Sequence, residues 1–282
     1  MKKTNLIATL SLAAVLMLGG CSGGSSAPTA EQLMTTAETK MAEVTNFSAT
    51  MSMIMNMSMG EESVESATAV DMLMFSDPVK MKMTMSMDMG ELGVTEMDMY
   101  MVEQEDQLYT YAAYGSEWIY YATDASELAQ YDAAQNTDMY LSTLTNATVG
   151  AKEDINGMQA YRIDGVITDE DMEQALVESG ALGSAASFGL TEDQLLALYK
   201  ETGDLPMALW ITDDGYVVRY VMDMTALMQN VMGSILGDAA ELEGFSISID
   251  AMQIDMTMSN FNQAEDFELP AEAANATLID MY

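Results

Sequence analysis

Two short stretches of this chain place a potential ligand at every second position. Residues 51–59 read MSMIMNMSM and residues 81–89 read MKMTMSMDM, so every odd position in both stretches is methionine. Thioether sulfur is a soft ligand that suits Cu(I). Methionine is also an unbranched, polarizable apolar side chain that adapts to irregular partners. The two runs could therefore hold a soft metal ion or form one apolar face of a sheet.

The spacing disfavours a metal site built from one run. Alternate residues of a strand lie about 6.6 Å apart, so two neighbouring methionines cannot ligate one ion without help from an adjacent strand. The chain has no histidine, and its single cysteine is Cys21. Methionines also recur at alternate positions in residues 97–101 and 252–258, although one site needs only three or four ligands. The sequence predicts no metal site and no cofactor, and Cu(I) binding through methionine is the minor alternative.

The period of two predicts that these runs are strands, because successive side chains of a strand point to opposite faces. Five methionines at this spacing would spread around a helix instead of sharing one face. Similar alternation and turn signals such as Asn156-Gly157 predict an antiparallel sheet of roughly eleven strands. The predicted strands cover residues 51–59, 70–75, 81–89, 97–101, 108–113, 118–121, 147–153, 158–167, 206–212, 216–224 and 245–258.

Helices are predicted between groups of strands. Apolar residues at three- and four-residue spacing predict a helix over residues 30–44. Further helices are predicted over residues 125–144, 168–179, 191–199 and 225–236, with Thr168 and Thr191 as N-caps. The fold class is α+β. We expect a curved antiparallel sheet, an incomplete β-barrel, with helices covering or plugging its concave apolar face.

The start of the chain has the pattern of a targeting sequence. Lys2 and Lys3 precede an apolar stretch over residues 6–18, which is too short for a comfortable membrane span. The stretch ends in LGGC, residues 18–21, which resembles the bacterial lipobox. We predict a signal peptide over residues 1–20, diacylglyceryl modification of Cys21, a flexible tether over residues 21–29, a domain over residues 30–273 and a tail over residues 274–282. The mature protein would be lipid-anchored at the cell membrane on its extracytoplasmic face.

Charge and composition exclude several function classes. The formal net charge is −36, with 45 acidic and 9 basic residues, and nucleic-acid binding requires clustered lysine and arginine. Without histidine there is no Ser–His or Cys–His machinery, and no glycine-rich phosphate loop occurs. The acidic residues of the strands alternate with methionine and so fall on the solvated face. We predict that the protein is not an enzyme.

Several segments together resemble a known group of proteins. Residues 30–48, 155–167, 205–224 and 266–273 look like the post-tether helix, two hairpins and closing segment of the LolA-like superfamily. That superfamily includes mycobacterial LppX/LprG-type lipoproteins and methionine-rich uncharacterised lipoproteins of Gram-positive bacteria. The resemblance implies an incomplete antiparallel barrel around an apolar cavity, and relatives that carry lipoproteins, acylated glycolipids or other lipids.

Two interpretations of the methionine face share this geometry and differ in whether the concavity is filled. An adaptable lining predicts a non-catalytic protein that binds a lipid or acyl chain, with residues 180–189 as a mobile lid. A filled core predicts a structural or interaction lipoprotein whose acidic face meets another envelope protein. The candidate lining residues are Met53, Met55, Met57, Met83, Met85, Met87, Met99, Met222, Met224, Met256 and Met258.

Overall fold

A computed structural model of the chain describes residues 27–60, 62–88, 93–104, 107–114, 117–124, 133–178, 189–236 and 247–279. The predicted signal peptide, Cys21 and all but the last residue of the predicted lid lie outside these ranges. No helix within the described ranges combines the length and the apolar character that crossing a bilayer requires.

Five helices and twelve strands make up the described fold. The helices are α1 Ala30–Met41, α2 Ala133–Thr143, α3 Asp169–Glu178, α4 Glu192–Thr202 and α5 Thr225–Leu236, with a short 3-10 helix at Ala271–Asn275. The strands are β1 Asn46–Met59, β2 Glu62–Ser76, β3 Val79–Asp88, β4 Val94–Gln104, β5 Gln107–Tyr114, β6 Glu117–Asp124, β7 Leu144–Ile155, β8 Met158–Ile167, β9 Leu205–Thr212, β10 Val217–Asp223, β11 Ile247–Ser259 and β12 Thr277–Leu278.

All twelve strands belong to one sheet, in the order β12-β6-β5-β4-β3-β2-β1-β11-β10-β9-β8-β7. Neighbours are antiparallel except β12 and β6, which are parallel. The two end strands do not pair with each other, so the curved sheet is not closed. The predicted α+β class is therefore confirmed, and the predicted number of strands is one too low.

Two segments differ from the sequence prediction. Strand β2 begins at Glu62 and pairs with β1 along its whole length, although only residues 70–75 were predicted as strand. The serine, threonine and glutamate residues of its first half lack an apolar run. Strand β12 lies in the predicted tail, where Thr277 and Leu278 pair with Ile119 and Tyr120 of β6. Its two residues are too few to give a period.

The two predicted N-caps, Thr168 and Thr191, are confirmed in atomic detail. The Thr191 hydroxyl accepts a hydrogen bond from the Gln194 backbone N–H at 3.2 Å, and the Gln194 side chain accepts one from the Thr191 N–H at 2.8 Å. At α3, the Asp171 N–H donates to the Thr168 hydroxyl at 3.2 Å. Such caps satisfy backbone donors that have no partner within the helix.

The main core lies where helices cover one face of the sheet, which we call the inner face. Leu33, Ala37 and Met41 of α1 belong there to one buried cluster with strand residues such as Leu209 and Met256. The largest fully buried side chains of the described ranges include leucine, isoleucine, valine and one threonine, but no methionine. Branched aliphatic residues therefore fill the tightest part of this protein.

The opposite, outer face is held by charged and aromatic side chains. Trp210 of β9 lies between the guanidinium groups of Arg162 and Arg219, at 5.1 and 4.5 Å from its ring. Its indole N–H donates to Glu153 at 2.8 Å. Arg219 also donates to Asp255 of β11 at 2.6 Å. These contacts tie strands β8 to β11 together from outside.

Residues 260–278, which we call the C-terminal strap, run from the end of β11 to the edge strand β12, which pairs with β6. The Asn262 side chain accepts from the Thr45 N–H at 2.7 Å. Lys80 of β3 forms an ion pair with Asp266 and lies 4.8 Å from the Phe267 ring centre. Phe267 also packs against Tyr100 of β4, with ring centres 5.9 Å apart. The strap thus connects β1, β3 and β4 with the last strand of the sheet.

Candidate functional site: methionine rows on the inner face

The strand register places methionines side by side on the inner face. Met83 of β3 lies opposite Met99 of β4, and Met85 lies opposite Met97. Met53, Met55 and Met57 of β1 lie on the same face, and β2 separates them from β3. Eight half-buried methionines form what we call the methionine patch: Met53, Met55, Met57, Met83, Met85, Met87, Met97 and Met99.

Strand β2 divides the patch with smaller side chains. Thr68 lies between Met53 and Met87, and Val70 lies between Met51 and Met85. Since β-branched side chains are short and stiff, β2 forms a shallow strip between two ridges of longer thioether chains. The part of this strip before Val70 was not predicted from the sequence, because the polar first half of β2 did not suggest a strand.

Seven of the eleven predicted lining residues belong to the patch. The other four lie nearer the helices. Met222, Met256 and Met258 are buried members of the main core. Met224 is half-buried between that core and a smaller cluster of Leu198, Leu227 and Val231, which joins α4 to α5. The assignment of all eleven as cavity lining stays a prediction.

Several methionines at alternating positions were not predicted as lining, and Met97 and Met72 are two of them. Met97 belongs to the patch, and Met72 of β2 lies opposite Met83. The alternation of residues 97–101 was a sufficient signal for Met97. Met72 could be placed only with the register of β2 against β3, which is a long-range property.

The other side of the same strands is polar, as predicted. The Thr84 hydroxyl donates to Asp98 across β3 and β4 at 2.8 Å, and the Thr50 hydroxyl donates to Asp71 across β1 and β2 at 2.9 Å. Cross-strand pairs of this kind stabilise a sheet modestly and fix its register. The acidic residues that they hold have structural partners on the outer face.

Helix α5 borders the patch where β10 ends. The Met224 N–H donates to the Met252 carbonyl of β11 at 2.9 Å. The Gln229 side chain donates to the Ile249 carbonyl at 2.7 Å. The upper part of β11 is therefore paired with β1 on one side and with α5 on the other. This places α5 beside the β1 methionines, because Met55 lies opposite Met252.

Three tyrosines lie between the helices and the sheet near the main core. The rings of Tyr140 and Tyr220 are 5.5 Å apart. Burial raises the pKa of Tyr140, Tyr199 and Tyr220 above the usual value of a phenol. All three hydroxyls are neutral at physiological pH, so they can donate hydrogen bonds but cannot act as bases.

The patch contains none of the usual ligands for hard or borderline metal ions. Within the described ranges, no group of three or more histidine, cysteine or acidic residues is arranged to hold a metal ion. The chemistry that the patch offers is apolar contact with a soft, polarizable and repackable surface.

Comparison with known proteins gives one family match. Residues 29–153 match the model of a family described as a family of unknown function, DUF6612. That match spans α1, strands β1 to β6, α2 and most of β7. No curated protein matches the chain.

Solved structures of similar shape include lipoproteins. LprF from Mycobacterium bovis is 15% identical, with a TM-score of 0.46 over 86% of this chain and 97% of that one. Mycobacterium tuberculosis lipoprotein LppX is 14% identical, with a TM-score of 0.44 over 84% and 96%. A LolA superfamily protein from Nitrosomonas europaea is 8% identical, with a TM-score of 0.24 over 86% and 96%. The similar structures thus include LppX and a LolA superfamily protein, both from the group that the sequence resembles.

Proposed function

We propose that this protein is a lipid-anchored extracytoplasmic lipoprotein that binds an apolar molecule, a lipid or acyl chain, against the methionine patch without catalysing a reaction. The observation that carries the proposal is the patch itself. Eight half-buried methionines lie together on the inner face, beside a core whose most deeply buried side chains are branched aliphatic residues.

The choice of side chain supports a guest rather than a permanent core. Leucine, isoleucine and valine specify a shape better than methionine does, and this chain uses them at its tightest positions. Methionine has three rotatable bonds and can repack around varied apolar partners. Each methylene of a guest that leaves water on such a surface contributes about 0.8 kcal/mol.

The surrounding groups support binding without catalysis. The tyrosines near the main core have raised pKa values and are neutral, and Asp71 and Asp98 have hydrogen-bond partners on the outer face. A neutral, apolar surface can hold hydrocarbon but offers no activated nucleophile or base. The lipobox-like LGGC at residues 18–21 supports anchoring through Cys21.

The test starts from protein made in its own host and released from membranes by proteolysis within residues 22–29. Solvent extraction followed by mass spectrometry should find a non-covalently bound lipid, and the stripped protein should take up a fluorescent fatty acid. The variant M85Q/M97Q replaces a cross-strand pair with polar side chains of similar size. Its affinity should fall about 10-fold or more, because buried amides lose water without gaining partners.

The matched control is M34Q/M158Q, in which two half-buried methionines outside the patch are changed. This control should keep the affinity of the parent. If the extract contains no lipid and no fatty acid is taken up, apolar binding is wrong and the alternative, an interaction protein with an acidic face, is favoured. If both variants lose affinity equally, the patch is not the binding surface.

A further inference from the structure

Three methionines form a straight row across three strands at the lower end of the inner face. Met74 of β2 lies opposite Met81 of β3, and Met81 lies opposite Met101 of β4. Met81 and Met101 are 5% and 3% exposed and share a small cluster with Leu108, against which Met74 packs. This row adjoins the methionine patch but is not part of it.

The row overcomes the spacing problem of a single strand. Neighbouring strands lie about 4.8 Å apart, so the outer two methionines of the row start about 10 Å apart with Met81 midway. Each side chain has three rotatable bonds. The sulfurs of Met74 and Met101 can therefore reach inward to one point above Met81. Three thioethers at one point are a ligand set for a soft monovalent cation.

A buried hydroxyl without a partner continues the same row. Thr110 of β5 lies directly opposite Met101 and is 1% exposed. Its hydroxyl oxygen makes no hydrogen bond in the described part of the chain. A buried hydroxyl of this kind costs about 1–3 kcal/mol and requires an explanation. The oxygen lone pairs of Thr110 give the row a fourth donor atom.

A carboxylate lies one step along the strand from this row. Glu103 follows Met101 on the same face of β4, about 6.6 Å away. Its side chain accepts a hydrogen bond from the Val79 N–H at 2.9 Å, and Val79 packs against the same cluster. A single negative charge at this distance would balance a bound monovalent cation in a poorly hydrated site.

We propose that Met74, Met81, Met101 and Thr110 form a binding site for Cu(I), with Glu103 as its charge-balancing neighbour. The site is separate from the methionine patch, and it does not depend on whether the patch binds lipid. Met83, a member of the patch, is half-buried and packs against the cluster of the buried row. The row of Met72, Met83 and Met99 therefore gives the ion a path of thioethers to the buried row.

The test is an anaerobic titration of the full-length protein in mild detergent, with a coloured Cu(I) chelator as competitor. We expect one Cu(I) per chain. The variant M81L/M101L keeps side-chain volume but removes two ligands, so its affinity should fall more than about 100-fold, beyond the range for losing a supporting residue. M85L/M97L, a cross-strand pair on the same two strands, is the matched control and should bind as the parent does.

A second measurement needs no variant. Methionine methyl groups labelled with carbon-13 are followed by NMR while Ag(I), a diamagnetic ion of the same softness, is added to the parent protein. Three methyl signals, assigned to Met74, Met81 and Met101, should shift and saturate at one equivalent. Shifts spread over the patch methyls, or equal loss of Cu(I) affinity in both double variants, would overturn the proposal, as would the absence of binding. Fatty-acid uptake by M81L/M101L should be unchanged, which separates this site from the patch.

Discussion

The two halves of this sheet are built from different apolar residues. Strands β7 to β10 bury Ile163, Leu209 and Ile211 almost completely beneath helices. Most methionines of strands β1, β3 and β4 are half-buried, and only Met81 and Met101 among those described are buried. Stiff branched side chains pack to a single arrangement, whereas methionine keeps several. The comparison indicates that the aliphatic half specifies the fold, and that the side chains of the methionine half can adopt several packing arrangements.

The largest expected effect is the difference in lost stability when a side chain is truncated in one half or in the other. Ile163→Ala removes a fully buried side chain and should lower the free energy of unfolding by about 2–5 kcal/mol. Met85→Ala should cost about 1 kcal/mol, because a half-buried side chain leaves no closed cavity. Urea unfolding of both variants measures the difference. Equal losses would show that the methionine half is packed core.

A second prediction concerns the contact between α1 and the β9–β10 turn in the aliphatic half. Gly215 has a φ of 93°, and a Cβ there would lie 2.7 Å from the Thr36 carbonyl oxygen of α1. Gly215→Ala should therefore cost about 2 kcal/mol or more. Gly157→Ala is the control, since Gly157 has a φ of 88° but open space around it. Its cost should be about 1 kcal/mol, and thermal unfolding would compare the two.

A third prediction concerns a substitution in the methionine half that should raise the free energy of unfolding instead of lowering it. Thr110→Val replaces the unpartnered hydroxyl with a methyl group of the same shape, so it should stabilise the metal-free protein by about 1 kcal/mol. The midpoint of urea unfolding in the presence of a metal chelator measures this gain. A loss of stability would mean that the hydroxyl has a partner in the folded protein, and would remove one support of the Cu(I) site.

The smallest effect is a pH dependence of the C-terminal strap. The hydrogen bond from Lys80 holds the pKa of Asp266 below its usual value of 3.8, and the Phe267 N–H acts in the same direction. A carboxyl with a lowered pKa stabilises the folded state above its unfolded pKa, and this contribution is lost as the pH falls through the folded value. The strap should therefore loosen below about pH 4.

Fluorescence of Trp118 can report this loosening, because Trp118 packs on Tyr100, which touches Phe267. The variant W210F removes the second tryptophan. Adding D266N should abolish the acid-induced change, since asparagine does not titrate. A change that persists in D266N would assign the pH dependence to other carboxylates.

Much of the fold could be predicted from local patterns. The alternation of residues 81–89 identified β3, Asn156-Gly157 marked the turn between β7 and β8, and Thr191 marked the start of α4. Each of these signals acts over a few residues, through side-chain direction, turn conformation or capping. The polar start of β2 and the two residues of β12 carried no such signal.

The arrangement of the candidate sites depended on contacts far apart in sequence. That Met74, Met81 and Met101 share a row follows from the registers of β2, β3 and β4 together. A slip of one residue would send each methionine to the other face, so no pattern within one strand predicts the row. The unpartnered hydroxyl of Thr110 is likewise visible only once β4 and β5 are paired.

The place of β11 in the sheet has a consequence for the order of folding. Residues 247–259 lie between β1 and β10, and Ser48 pairs with Ser259 across more than two hundred positions. During synthesis from the N-terminus, strands β1 to β10 are made before β11, the strand that joins the two halves of the sheet. Until then, β1 exposes an unpaired edge lined with methionine, which is a hazard for association between chains. The sheet can therefore form completely only after β11, one of the last strands, has been synthesised. Contacts between residues so far apart in sequence also predict slow folding.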